Sequence, residues 1–293
     1  MKIRVCFEKT EAGRYLSHLD MARTMERSLR RAKAPIAFSE GFNPHVKMAF
    51  AHALAVGTTG KREYMDVNMA SRVNIKRFYK DLEDVFPPAL ALVAAEEIME
   101  GGRSLTALIN LAIYRVTAVV PKDEAVKVAE GVAKVLAAKE LWRKAKEKPG
   151  KKAIPPKEVR GLVRRLEIVG ATAGKEADAG ASIELGVASG KAAGSEEVSA
   201  SGKNGHSAQG GEGAAADTLE NTGVSDALAV TADTASDSIL ILEMELLLKP
   251  DGQLSPKELW EMIAEAGGFA PARLLTVSRE ALLILQDGKV FAP

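Results

Sequence analysis

Apolar and polar positions alternate from the start of the chain. Ile3, Val5 and Phe7 fall on one side and Arg4, Cys6 and Glu8 on the other, which predicts a half-buried strand. Residues 14 to 35, "RYLSHLDMARTMERSLRRAKAP", switch to a helical period, with Leu19, Ala22, Met25, Leu29 and Ala32 as the expected buried stripe. "HVKMAFAHAL", with Val46, Met48 and Phe50 on one face, and "REYMDVNM", with Met65, Val67 and Met69 on one face, predict two more strands. A helix at 75–86 carries Ile75, Phe78, Leu82 and Val85 and stops at Pro87-Pro88, and "LALVAAEEI" makes a fourth strand. The order is βαββαβ.

The remainder repeats that order with an interruption. "AIYRVTAVV" predicts a strand, and 123–146 a helix carrying Val128, Val132, Val135 and Trp142. "PPKEVRGLVRRLEIV" is expected to end in a strand, and "SILILEMELLL" is another. "SPKELWEMIAEAGG" is a helix whose limits are spelled out: Ser255 as N-cap, Pro256 in the first turn, Glu258 closing a capping box, and Gly267-Gly268 as the stop. Residues 272–287 supply the last one or two strands. The expected class is therefore α+β, two ferredoxin-like (βαββαβ) units in tandem. The first spans 1–103; the second spans 104–169 and 238–293. Residues 170–237 are mostly Ala, Gly, Ser, Thr and acids without Phe, Trp or Tyr, too little apolar surface to order themselves, and are expected to be a disordered insertion in a surface loop.

Charge changes this picture. The net charge of +1 conceals 32 Lys+Arg against 20 Asp+Glu in residues 1–169 and 8 against 19 in 170–293. A body that is basic outside 170–237 suits an anionic partner. The first helix carries the densest part of it: Arg23, Arg27, Arg30 and Arg31 fall at i, i+4, i+7 and i+8, opposite the apolar stripe, with Lys33 just beyond and Glu26 the acid among them. Such a stripe is either a solvated face or an anion contact. Basic clusters recur at "RKAKEKPGKK" (143–152) and at Arg160, Arg164 and Arg165.

The tetrad Ser17-His18-Leu19-Asp20 reads mainly as helix punctuation, with Ser17 as N-cap and Asp20 at N3. His18 is left over. In the first turn the helix dipole favours its neutral form, able to accept a proton. His45 follows the turn Gly41-Phe42-Asn43-Pro44 and shares a strand face with Lys47. An open sheet face is expected to carry Arg4, His45, Lys47, Tyr64 and Asn68, with Tyr64 as its sole aromatic, fewer than an RNA-recognition sheet employs. One cysteine, Cys6, excludes an internal disulfide, a Cys-only zinc site and the ligation of an iron–sulfur cluster by this chain. No Gly-rich phosphate loop with Lys, H-E-x-x-H or G-x-S-x-G occurs, so no metal and no cofactor of its own are expected. The opening residues lack an apolar signal core, no run is long enough for a membrane span, and a soluble, cytoplasmic protein without membrane contact is expected.

"RVCFEKTEAGRYLSHLDMARTMERSLRRAKAPIAFSEGFNPHVKMAFAHALAVG", then "REYMDVNM" and "LINLAIYRV", together resemble the radical-SAM-associated proteins of unknown function. These are found as standalone chains and fused behind cobalamin-binding radical SAM enzymes. Where that family commonly has a proline after the histidine of "GFNPH" and a proline-leucine before "VG", this chain has Val46 and Ala53-Leu54. The resemblance implies a cobalamin-dependent radical SAM protein as partner, with this chain as its non-radical member. The tandem outline also looks like the CRISPR endoribonucleases that cut repeat RNA without metal.

Three functions stay open. The first is a non-catalytic accessory protein binding RNA or another polyanion through Arg23, Arg27, Arg30, Arg31 and Lys33 with the loop Gly41–Pro44. The second is a metal-independent ribonuclease in which His18 and His45 are base and acid, and Lys47 or Arg23 steadies the phosphorane. The third is a protein-docking module without nucleic acid.

Overall fold

The computed structural model describes residues 1–148, 151–173, 237–250, 252–271 and 274–293, with side chains omitted for 146–148, 151–154 and 173. The insertion expected at 170–237 lies outside the described residues, except that 170–173 close one strand and Asp237 opens the next. In chain order the elements are β1 (Lys2–Lys9), α1 (His18–Arg31), β2 (Met48–Phe50), β3 (Thr59–Asn68), α2 (Ile75–Glu83) and β4 (Leu90–Ile98). Then come α3 (Leu105–Leu108), β5 (Leu111–Pro121), α4 (Ala125–Ala137), the short strands β6 (Trp142–Arg143), β7 (Lys146–Lys148), β8 (Lys151–Ile154) and β9 (Lys157–Glu158), and β10 (Val163–Ala173). Finally there are β11 (Asp237–Leu247), α5 (Pro256–Gly267), β12 (Leu274–Gln286) and β13 (Lys289–Phe291).

The class is mixed α+β, with one large mixed sheet and few helices. Its order is β10-β11-β5-β12-β3-β1-β4, with β2 added to β3 and β13 to β12. β1 lies antiparallel between β3 and β4, and β5 antiparallel between β11 and β12. Among the described residues the one parallel contact, Ser278 beside Thr59 and Arg279 beside Gly60, joins β12 to β3.

Two apolar cores form on this sheet. Ile3, Val5 and Phe7 of β1 and Met65 and Val67 of β3 pack under Met21, Met25 and Leu29 of α1 and Phe78 and Leu82 of α2. Tyr114, Val116 and Val120 of β5 and Leu240, Leu242 and Met244 of β11 pack under Val128, Val132 and Val135 of α4 and Leu259, Trp260 and Ile263 of α5. Cys6 and Tyr64 belong to this second core, together with Leu105 and Ile109.

The caps follow the sequence. Ser17 Oγ accepts the Asp20 N–H at 3.2 Å and donates to Asp20 Oδ2 at 2.6 Å. Ser255 and Glu258 form a reciprocal capping box, and Gly268 ends α5 at φ 70°.

Three expectations are corrected. The buried stripe of α1 is Met21, Met25, Ser28 and Leu29, while Leu19 is 58% exposed, because the helix starts at His18 and turns Met21 towards β1. The helix expected over 123–146 stops at Ala137, where the apolar period ends and the Arg160 guanidinium binds the carbonyls of Leu136 and Ala138 at 2.9 and 3.1 Å. Trp142 lies instead on β6. The face expected to be open is largely covered: Arg4 is buried against Asp66, Tyr64 sits in the second core, and His45 lies in a loop and not on a strand.

Candidate functional site

α1 presents its basic side outward, and the structure divides the five cations unequally. Arg23 stands 3.8 Å from Asp20. Arg30 is held by Glu26 at 2.8 Å, and its guanidinium lies 5.0 Å from the centre of the Phe38 ring. Arg27 and Arg31 are exposed and, among the described residues, have no ion-pair partner. Lys33 follows at φ 52°, where the chain leaves the helix. The guanidinium stripe expected from spacing, with Glu26 interleaved, is thus half neutralised, because Asp20 and Glu26 each stand beside one of its arginines.

Arg31 and Lys33 open onto a cleft of about 610 Å³ between the end of α1 and the length of α2. Asn74, Arg77, Asp81 and Asp84 line its other wall, and Arg77 lies 3.5 Å from Asp81.

The loop after α1 is tied at its base. Phe38 bridges Val46, Ser39 N–H donates to the His45 carbonyl at 2.8 Å, and His45 N–H donates to Ser39 Oγ at 2.9 Å. Between these ties Gly41 takes φ 115°, a value L side chains resist, and Phe42 at the apex is fully exposed. His45 and Lys47 are exposed on the returning limb. His18 is exposed at the start of α1, with its ring edge-on to Phe50 at 5.3 Å. The Arg160, Arg164 and Arg165 cluster is engaged internally: Arg160 holds backbone carbonyls, Arg164 pairs with Glu245, and Arg165 pairs with Glu167 at 2.7 Å. The lysines of 146–152 lie outside the described side chains.

Behind these loops lies a buried polar cluster that spacing did not reveal. Arg279, fully buried, donates to both oxygens of Glu63 and to the carbonyls of His52 and Ala53. Lys9, also buried, gives its ammonium to the carbonyls of Arg14 and Leu16, both at 3.0 Å, so it anchors the turn that delivers Ser17 and His18. Burial pulls the Lys9 pKa below the ordinary lysine value and Arg279 pulls it further, while Glu63 opposes them. His52 lies between an Ile109 carbonyl on Nε2 and the Gln253 amide on Nδ1, each at 3.0 Å. Burial holds its pKa below 6.5. The only signal of this cluster in the sequence is three charged residues at positions otherwise patterned as strand.

Cys6 is buried and hydrogen-bonded to Tyr64. Burial raises the thiol pKa, and it pushes the Tyr64 phenol up to about 12, so both stay protonated at neutral pH. Among the described residues no group of three His, Cys, Asp or Glu side chains is arranged to hold a metal ion. Likewise, no helix among them is long and apolar enough to cross a membrane. The exposed groups of this surface are the guanidiniums of Arg27 and Arg31 and the imidazoles of His18 and His45.

No curated protein matches the chain. Residues 2–195, which include the helix, the tied loop and the strands that carry them, match a family of uncharacterized proteins conserved in bacteria (DUF2344), and the chain belongs to that family.

Proposed function

We propose that the chain is a non-catalytic accessory protein that binds a polyanion, RNA first among the candidates, through the outward face of α1 and the loop 41–47. The observation that carries this reading is the pair Arg27 and Arg31, exposed guanidinium groups without carboxylate partners among the described residues. A guanidinium already paired gains little from a phosphate, whereas a free one contributes its full counterion release. The basic balance outside 170–237 points the same way.

The scaffold is read as two ferredoxin-like units side by side. What supports this is the order of strands in each half, fourth-first-third-second: β4-β1-β3-β2, then β12-β5-β11-β10. The partner, from the resemblance of "SHLD" and "GFNPH" to radical-SAM-associated proteins, is a cobalamin-dependent radical SAM protein in the cytoplasm. The buried Cys6 is this chain's only thiol, so cluster ligands come from the partner.

Charge reversal tests the site. Arg27→Glu with Arg31→Glu is expected to leave the circular dichroism spectrum intact and to abolish binding of RNA and heparin. For every phosphate that is no longer neutralised, the slope of log affinity against log salt becomes shallower by about 0.7–0.9. Unchanged affinity and slope would defeat the reading. The same preparation decides the ribonuclease alternative. Cleavage of bound RNA by the unaltered protein that a His18→Ala, His45→Ala variant lacks would make the chain an enzyme.

A further inference from the structure

We infer that the polyanion is a single-stranded nucleic acid whose bases stack on Tyr15 and Phe42, an inference that rests on the polyanion reading above. Tyr64, the aromatic expected to stack bases on an open sheet, is buried. Exposed rings occur instead on the segments that flank α1 in the chain. Tyr15 is 67% exposed two residues before the N-cap of α1, with the Arg14 guanidinium 5.2 Å from its ring centre. Phe42 is fully exposed at the apex of a loop whose root, Phe38, packs beneath Arg30 near the other end of the helix.

The two rings therefore stand on the segments that precede and follow α1, one entering at its start and the other rooted against Arg30 near its end. From His18 to Arg30 the axis advances about 18 Å, which a stacked strand at about 3.4 Å per nucleotide spans with about five nucleotides. Along the helix the exposed Arg27 and Arg31 are, among the described residues, the unpaired cations, while Arg23 and Arg30 stand beside Asp20 and Glu26. Glu40 beside Gly41 is the loop's own acid. This is the arrangement of a single-strand binder: cations that track a backbone, and aromatic faces that accept any base. A duplex keeps its bases stacked inside and offers Tyr15 and Phe42 nothing. A base-free polyanion such as heparin engages the arginines alone.

The loop is built to display its ring. The Ser39–His45 hydrogen bonds and the Phe38–Val46 bridge close its base, so Phe42 is presented on a short, tied segment. The entropic cost of ordering it when a base lands there is correspondingly smaller. Both rings are largely solvent-exposed, so replacing either removes little packing.

The experiment is fluorescence anisotropy with a labelled oligouridylate of roughly 12 nucleotides, a duplex RNA of equal length, and heparin. Tyr15→Ala and Phe42→Ala are each expected to weaken oligouridylate binding roughly 5- to 150-fold, the equivalent of about 1–3 kcal/mol per stacked base. Heparin binding and the salt slope stay as in the unaltered protein. Arg27→Glu with Arg31→Glu loses all three probes. If the aromatic variants bind oligouridylate as the unaltered protein does, or if duplex binds as tightly as single strand, base stacking is overturned while the polyanion reading stands. If the arginine variant keeps its affinity for heparin, it is the polyanion reading that falls.

Discussion

At the scale of single residues, the two histidines that the sequence brings forward and the one it hides behave differently. His18 and His45 stand in water, visible because they sit beside recognisable punctuation, a helix cap and a Gly-Pro turn. His52 lies in an unremarkable "AHAL" run, and its neighbours Ile109 and Gln253 come from far along the chain, so nothing local announces it. Its neutral form satisfies both contacts, Nε2–H donating to Ile109 and Nδ1 accepting from Gln253. A proton on Nδ1 would break the second while adding charge near Arg279, which already disfavours it. In the unfolded chain the imidazole takes up its proton near pH 6.5, and in the fold only at a lower pH. Between those two values the unfolded state binds more protons, so stability rises with pH across the window and is lost as pH falls through it. Urea midpoints of the unaltered protein should therefore drop, relative to His52→Gln, between about pH 7.5 and about pH 5.5. Parallel pH profiles for the two proteins would show that His52 is not held neutral by the fold.

At the scale of elements, what is legible is whatever is encoded within a few residues. The limits of α5 are written in "SPKE" and "GG", and the start of α1 in "SHLD". The end of α4 is not written locally, because the side chain that caps it is Arg160, 22 residues beyond Ala138. The buried face of α1 departs from its sequence pattern for a related reason: Leu19 and Met21 both fit a helical period, and contact with β1 decides between them. Helix packing hides a further feature. Gly131 in the middle of α4 looks like a weakness, and by helix propensity alone Gly131→Ala would gain about 1 kcal/mol. A Cβ there would stand 2.4 Å from the Ile263 carbonyl oxygen and 3.1 Å from Gly267 N, both backbone atoms of α5 that cannot swing away. Overpacking of this kind costs about 1–3 kcal/mol, so it outweighs the propensity gain. Gly131→Ala should lower the thermal midpoint, and a raised midpoint would mean that α4 and α5 separate at no cost.

At the scale of the whole molecule, alternation and helical period reveal the mixed α+β class, but not the pairing that joins β12 to β3. The parallel pairing of β12 with β3 covers only Ser278 with Thr59 and Arg279 with Gly60, too little ladder to fasten two cores by itself. Two further contacts cross the join: Cys6 and Tyr64 pack into the second core, and a buried ion pair stands beside the ladder. Arg279 and Glu63, 216 residues apart in sequence, meet with side-chain exposures of 1% and 3%. Gly60 leaves room for the carboxylate, since a Cβ there would come within 2.5 Å of Glu63 Oε1. Lys9 adds a second buried cation to the same carboxylate's field and ties it to the "SHLD" turn, while Arg279 ties it to the carbonyls of His52 and Ala53. A buried pair of this kind adds little over an apolar replacement of both partners, but removing one partner strands a charge at a cost of about 3–5 kcal/mol. Arg279→Met should therefore lose stability of that order, followed by the fluorescence of Trp260 in the second core during urea unfolding. Glu63→Gln in the same chain should restore part of it, because the stranded charge is gone. A loss below about 1 kcal/mol for Arg279→Met, the range of an exposed ion pair, would place the fastening of the two halves in their apolar contacts instead.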